Sequence, residues 1–103
     1  MTLKEIQDLL VSIDPDIRHY ENKTKSKAYS VWEETRRLPM SADGEHLEGW
    51  RFYVHRYTPY DPDMIAIRLF AILDSDVRVT VSHVVDYIED TGTIHHIFEC
   101  EAW

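Results

Sequence analysis

The feature that most constrains the fold of this chain is a strict alternation of residue types near its C-terminus. Over residues 77–87, valine, histidine and tyrosine occupy every second position, and four of the five intervening residues are polar. This pattern is typical of a strand with one buried face. Residues 89–92 have the composition of a hairpin turn, in which Gly92 suits the left-handed conformation, and residues 93–101 form the returning strand. The sequence therefore predicts a sheet built around this hairpin.

Three more strands are predicted upstream of the hairpin. Residues 50–57 alternate between large apolar and more polar side chains, and residues 29–37 are rich in aromatic and β-branched types. Both faces of the 29–37 strand carry large side chains, so the pattern leaves its buried face ambiguous. Residues 17–22 are a candidate for a short additional strand.

Two helices are predicted from their capping residues and apolar spacing. Thr2 begins a capping box, and residues 3–13 repeat apolar side chains at helical intervals. A second helix is predicted over residues 62–73, with Asp61 as its N-cap and Pro62 at its first position. The apolar surface of this second helix is wide, which indicates deep burial against a sheet.

The elements follow one another in the order α-β-β-β-α-β-β. Clustered strands with few helices predict an α+β fold, with a mainly antiparallel sheet and two helices on one face. The length of 103 residues fits one domain over residues 1–103. The longest connector covers residues 38–49, and connectors of about a dozen residues are often functional.

Charge and composition narrow the classes of function. The chain has 11 Lys and Arg against 19 Asp and Glu, a formal net charge of −8. Nucleic acids and anionic membrane surfaces both attract basic proteins, so we expect no specific nucleic-acid binding and no membrane binding. One cysteine cannot form an intrachain disulfide. The sequence shows neither a signal peptide nor an apolar run of about 18 residues, which predicts a cytosolic protein.

The residues that could carry chemistry do not form a recognisable motif. His95 and His96 are neighbours on a strand and point to opposite faces. His83 could face His96 or Cys100 across the hairpin, but such a pair would lack further metal ligands. Cys100 lies between two glutamates, which raise the pKa of its thiol and weaken it as a nucleophile. We therefore expect no catalytic residues, no cofactor and no metal, in a protein that is not an enzyme.

A surface for protein contacts is the remaining candidate site. Arginine, methionine and tryptophan are enriched in the cores of interfaces, and the long connector brings such residues together. The candidate interface residues are Arg36, Arg37, Leu38, Met40, His46, Leu47 and Trp50. The alternative, in which these residues fold over the domain's own core, has at least equal weight.

The chain resembles a known group of proteins in three respects: the element order, residues 49–52 at the strand entry before the second helix, and the hairpin of residues 86–101. These features are similar to small prophage proteins of Gram-positive bacteria encoded among head–tail genes. The layout resembles the tail-terminator and tail-completion family of long-tailed phages, which includes the lambda minor tail protein U. The resemblance covers nearly the whole chain as topology and residues 49–101 as sequence, and it assigns no functional residue.

The resemblance implies a mechanical role in virion assembly. Such proteins form a ring, usually a hexamer, that stops tail-tube polymerisation and docks the head connector. The implied partners are tail-tube and head-connector proteins, in the bacterial host cytoplasm during assembly and then in the virion. Ring contacts would be heterologous, with residues 38–49 and the sheet edges as candidate patches. The sequence leaves open whether the isolated chain is a monomer. A cytosolic regulatory or ligand-binding α+β domain is the main alternative, and an enzyme with an unrecognised site is a third.

Overall fold

Seven elements follow one another in the predicted order. In the computed structural model, which describes residues 1–39 and 48–103, the elements are α1 (Leu3–Ile13), β1 (Arg18–His19), β2 (Tyr29–Leu38), β3 (Gly49–Thr58), α2 (Met64–Ser75), β4 (Val79–Ile88) and β5 (Thr93–Ala102). The strands form a five-stranded sheet in the order β1-β2-β3-β5-β4. The predicted α+β class is confirmed.

The sheet is mainly antiparallel, as predicted, but not purely so. β2, β3, β5 and β4 pair antiparallel along most of their ten-residue lengths, whereas the two-residue β1 pairs parallel with β2. Parallel neighbours need a connection that carries the chain back along the sheet, and residues 20–28 provide it. The predicted short strand over residues 17–22 is therefore reduced to Arg18–His19, and the two sheet edges differ greatly in length.

Both helices cover the same face of the sheet, as predicted. Buried side chains of α1 and α2 pack there against buried side chains of β2, β3 and β5. The residues of this core with no more than 1% exposure are Ile6, Leu10, Ile13, Ile17, Trp32, Phe52, Val54, Leu69, Leu73, Phe98, Cys100 and Ala102. The opposite face of the sheet has no helix over it among the described residues, and we call it the open face.

The buried face of β2, which the sequence leaves ambiguous, is the face of Ser30 and Trp32. The Trp32 indole packs edge-on against Phe52 with 6.3 Å between ring centroids, and its Nε1 donates a 2.7 Å hydrogen bond to Oε1 of Gln7 on α1. On the other side of β2, Tyr29 stacks on Tyr57 across the open face with 4.9 Å between ring centroids. Aromatic side chains thus lie on both faces of β2, and contact with the helices decides which face is buried.

Helix α1 begins as predicted. The Thr2 hydroxyl accepts a 3.1 Å hydrogen bond from the backbone N–H of Glu5, and the Glu5 carboxylate accepts one of 3.0 Å from the backbone N–H of Thr2. This reciprocal arrangement satisfies two donors that a helix start leaves without partners.

The predicted start of α2 is wrong by two residues. Asp63, not Asp61, is the N-cap, and its Oδ2 accepts a 3.0 Å hydrogen bond from the backbone N–H of Ala66. The reason is tertiary, because the buried guanidinium of Arg56 binds the Asp63 carboxylate at 2.9 and 3.2 Å. Asp61 is exposed.

The terminal hairpin is confirmed, with one shift. Gly92 has φ +66°, the left-handed conformation expected of it, and β5 returns from Thr93. The strand predicted from residue 77 begins instead at Val79, because Asp76 forms a turn by accepting hydrogen bonds from the backbone N–H groups of Arg78 and Val79. Val77 is consequently 99% exposed. Within the described part of the chain, no helix is long and apolar enough to cross a membrane.

Candidate protein interface

One side of the molecule exposes a group of large apolar side chains. Met64, Ile67 and Phe70 follow one another at three-residue intervals on the outer side of α2, with exposures of 65%, 50% and 38%. Val85 and Tyr87 on the helix side of β4 are exposed by 55% and 59%. We call these five residues the α2–β4 surface. Exposed apolar groups that cluster in this way mark interaction sites more often than scattered ones do.

The composition of α2 explains why this surface exists. Arg68 and Asp74 are the only charged residues within the helix, so apolar side chains surround most of it. The sheet buries only Ala66, Leu69 and Leu73. The predicted deep burial of α2 is therefore wrong for its outer side. A helix that is apolar nearly all round is usually buried nearly all round, so the exposed outer side of α2 is a candidate contact surface.

An apolar cleft of about 330 Å³ separates α2 from the β4–β5 hairpin. Its lining includes Pro62, Ala66, Ile67, Phe70, His83 and His96. The Phe70 ring lies 5.7 Å from the His83 ring, centroid to centroid, so α2 lies directly above β4 at this point. This cleft lies beside the α2–β4 surface and is a depression that could hold an apolar side chain of another protein.

The outer edge of β4 adds backbone groups to this surface. In the described part of the chain, β4 lies at the end of the sheet and pairs only with β5, over ten residues. It contains neither proline nor lysine, and Asp86 is its one charged residue. Natural proteins usually protect an edge strand with such residues or keep it short, because unpaired N–H and C=O groups recruit other strands. The β4 edge is thus open to a strand from another chain.

The structure places four of the seven sequence-predicted interface residues. Arg36 and Arg37 are exposed on β2, and the Arg37 guanidinium lies 4.9 Å above the centroid of the Trp50 ring. Trp50 is half-buried, and Leu38 is buried with 8% exposure. Met40, His46 and Leu47 lie outside the described residues. The four described residues lie on β2 and β3, towards the sheet edge opposite β4.

Four histidines form two hydrogen-bonded pairs on opposite faces of the sheet. His55 Nδ1 lies 2.9 Å from His95 Nε2 on the open face, and His83 Nε2 lies 3.0 Å from His96 Nδ1 on the helix face. Burial lowers the pKa of His83, His95 and His96, and for His83 and His95 a neighbouring histidine lowers it further. The predicted opposite orientation of His95 and His96 is confirmed. Within residues 1–39 and 48–103, no group of three or more His, Cys, Asp or Glu could hold a metal ion.

Cys100 has the environment of an inert thiol. It is fully buried in the core, and burial, with a smaller contribution from Glu99, raises the pKa of its thiol to about 12. The thiolate is the nucleophilic form of cysteine, so this side chain contributes packing rather than reactivity.

A buried polar cluster connects four elements behind the interface. Arg56 on β3 binds Asp63 through two hydrogen bonds, donates a 3.3 Å bond to Ser30 Oγ on β2, and lies 3.8 Å from Oδ2 of Asp14 at the end of α1. Burial alone would raise the pKa of Asp63, but bonds from Arg56, the Ala66 N–H and Thr58 outweigh it and lower that pKa. The cluster fixes α2, and therefore the α2–β4 surface, against the sheet.

Beside this cluster lies a polar cleft of about 390 Å³. Asp14, Asp16, Asn22 and Arg56 are among its lining residues, and Oδ2 of Asp14 is buried there without a hydrogen-bond partner among the described residues.

No protein-family model and no curated protein sequence matches the chain.

The sequence reasoning missed the α2–β4 surface, although one signal for it was present. The outer positions of α2 and its inner positions are equally apolar, so the second helix has more apolar surface than a two-layer fold can cover. In the sequence, that excess predicts deep burial within the domain. The same excess is also typical of a helix that is covered by a second protein.

Proposed function

We propose that this chain is a non-enzymatic subunit of a phage or prophage virion, which acts at the head–tail junction as a tail-completion or tail-terminator protein. The observation that carries the proposal is the α2–β4 surface beside the unprotected edge of β4. Large apolar side chains, which are unfavourable in water, lie there beside backbone groups that can pair with another strand. The element order, which is the one that the resemblance implies, supports the same proposal.

The proposed activity is assembly through protein contacts. The partners are further copies of the chain, tail-tube proteins and head-connector proteins, first in the cytoplasm of the bacterial host and then in the virion. The α2–β4 surface and the exposed arginines of β2 lie on opposite edges of one sheet, so a contact between them is heterologous. Heterologous contacts close into rings when the rotation between subunits allows it. The unreactive environment of Cys100 supports a role without nucleophilic catalysis.

Removal of the gene from the prophage that we propose to carry it tests the function directly. After induction, we expect electron micrographs with filled heads and unjoined tails of abnormal length, because tube growth lacks its stop and heads lack their docking surface. Expression of the wild-type chain in trans should restore joined particles. Normal, infectious virions from the deletion strain would contradict the proposal.

The polar cleft supports a second candidate function, the binding of a small polar ligand by a regulatory domain. The observation that supports this second function is the buried Oδ2 of Asp14, a residue that lines a cleft large enough for such a molecule. Protonated amines and guanidinium compounds are the class that a carboxylate oxygen without a hydrogen-bond partner would bind. A thermal-shift survey of such compounds should show no stabilisation if assembly is the function, whereas stabilisation that Asp14→Asn abolishes would favour ligand binding.

A further inference from the structure

A single row of side chains crosses the open face of the sheet from edge to edge. The strand registers pair Arg36 with Arg51, Arg51 with Glu101, and Glu101 with Thr80. These residues share the open face, because the intervening positions such as Phe52 point to the core. The row therefore starts with exposed Arg36 at the β2 edge and ends with exposed Thr80 at the β4 edge.

The β4 end of this row forms a shallow acidic depression. Thr80, Val81, Ser82, Glu99 and Glu101 line a space of about 240 Å³, where the small side chains of the edge strand leave two glutamates accessible from the side. Arg51 binds Glu101 at 2.6 Å. Glu99 is exposed, and its Oε1 accepts a 3.4 Å hydrogen bond from the Tyr53 hydroxyl. Glu99 is thus available to a cation that approaches past Ser82.

The β2 end of the row presents a matching strand edge. Among the described residues, β1 pairs with β2 at Val31 and Trp32, and the side chains of His19 and Tyr20 reach Glu34. Beyond Glu34, β2 continues to Leu38 with Arg36 and Arg37 exposed. β2 and β4 run antiparallel to one another in the sheet, because three antiparallel pairings separate them. A second copy that continues the sheet with the same open face would therefore place its β2 antiparallel to β4 of the first copy.

We infer that the partner of the β4 edge is a second copy of this chain, whose β2 adds to β4 and whose Arg36 occupies the acidic depression beside Glu99. The inference rests on the self-association proposed above and names its contact. Continuation of the sheet means that every copy contacts one neighbour through its β2 edge and the other neighbour through its β4 edge. This is the heterologous arrangement of a ring or filament. It also brings the neighbouring copy beside α2, so that one contact covers the β4 edge and the α2–β4 surface together.

Disulfide trapping between two variants that each carry one introduced cysteine tests this contact. Thr35→Cys places a thiol next to Arg36 on β2, and Ser82→Cys places one on β4 at the depression. The native Cys100 is buried with a thiol pKa of about 12, so we expect it to form no disulfide under mild oxidation. We expect a mixed disulfide between the two variants on a non-reducing gel, but little homodimer of either variant alone. Asp8→Cys, at an exposed site on α1, mixed with Ser82→Cys is the matched control.

Charge reversal in the same assay tests the position of Arg36. Adding Glu99→Arg to the Ser82→Cys chain should lower the yield of mixed disulfide about fivefold, the effect expected from loss of one exposed ion pair. Adding Arg36→Glu to the Thr35→Cys chain should then restore it. An unchanged yield in both steps would remove Arg36 from the contact.

The outcomes separate this inference from the proposed function. A mixed-disulfide yield no higher than that of the Asp8→Cys control overturns the inference, and so does a preference of Ser82→Cys for homodimers, which indicates a symmetric contact between two β4 edges. If either occurs while the wild-type chain still associates in sedimentation velocity, the inference fails and the proposed function stands. Normal virions after gene removal, together with the predicted mixed disulfide, would reject the function alone.

Discussion

Replacement of Asp63 by alanine should destabilise the protein by about 3–5 kcal/mol, because it leaves the buried guanidinium of Arg56 without its bidentate partner. The substitution also removes the N-cap of α2, which alone contributes about 1 kcal/mol. A domain of this size has a total stability of about 5–15 kcal/mol, so the variant should be close to unfolding. Urea denaturation followed by circular dichroism measures the effect.

Asp61→Ala is the matched control, since the sequence pattern alone would place the cap there. Asp61 is exposed, so we expect a change within about 0.5 kcal/mol. Comparable losses in the two variants would contradict the position of the cap and of the Arg56 pair.

The pH dependence of the unfolding free energy provides a second readout for Asp63. Because the pKa of Asp63 is lower in the folded than in the unfolded state, its contribution is complete above the unfolded pKa and is lost as the pH falls through the folded value. Asp63→Ala should flatten this acidic loss.

Replacement of Trp32 by alanine is the second change with a large expected effect, a loss of about 3–5 kcal/mol. The indole is 1% exposed, packs against Phe52, stacks on His19 with 4.0 Å between ring centroids, and bonds to Gln7 of α1. Alanine would leave a cavity between the first helix and the sheet and would leave the Gln7 side chain without its partner. Chemical denaturation again measures the loss.

Trp103→Ala is the control for the loss of an indole as such. Trp103 lies after β5 and is 44% exposed, so its removal should change the stability by less than about 1 kcal/mol. A Trp32 variant as stable as the Trp103 variant would show that α1 is not anchored on β2 through this side chain. The helix layer described above would then be wrong.

Those parts of the fold that depend on neighbouring residues could be predicted from the sequence. The terminal hairpin follows from alternation and from Gly92, and the start of α1 follows from the spacing of Thr2 and Glu5, since each signal lies within a few residues. The class and the element order follow in turn from these local elements. The parallel pairing of β1 could not be predicted, because two residues carry no periodicity.

Parts that depend on distant contacts were missed for a physical reason. Asp61 and Asp63 are both possible N-caps in a local pattern, and the contacts of Arg56 and Thr58 with the Asp63 carboxylate distinguish them. The buried face of β2 depends on which side the helices cover. The α2–β4 surface was missed because an apolar helix looks the same whether its second partner is the same chain or another one. Arg36 was predicted at an interface, whereas the acidic depression opposite it becomes visible only once the strand register is known.

Sedimentation velocity over a concentration series most directly tests whether this protein acts through contacts of its surface with other proteins. It is run with the chain alone and with a candidate partner, the tail-tube protein of the proposed prophage. The account predicts a mass that rises above the 12.2 kDa of one chain, and no such rise for Ile67→Asp, which places a charge in the α2–β4 surface while leaving the core intact. A wild-type chain that stays at the mass of one subunit under both conditions, or an Ile67→Asp variant that associates equally well, would contradict it.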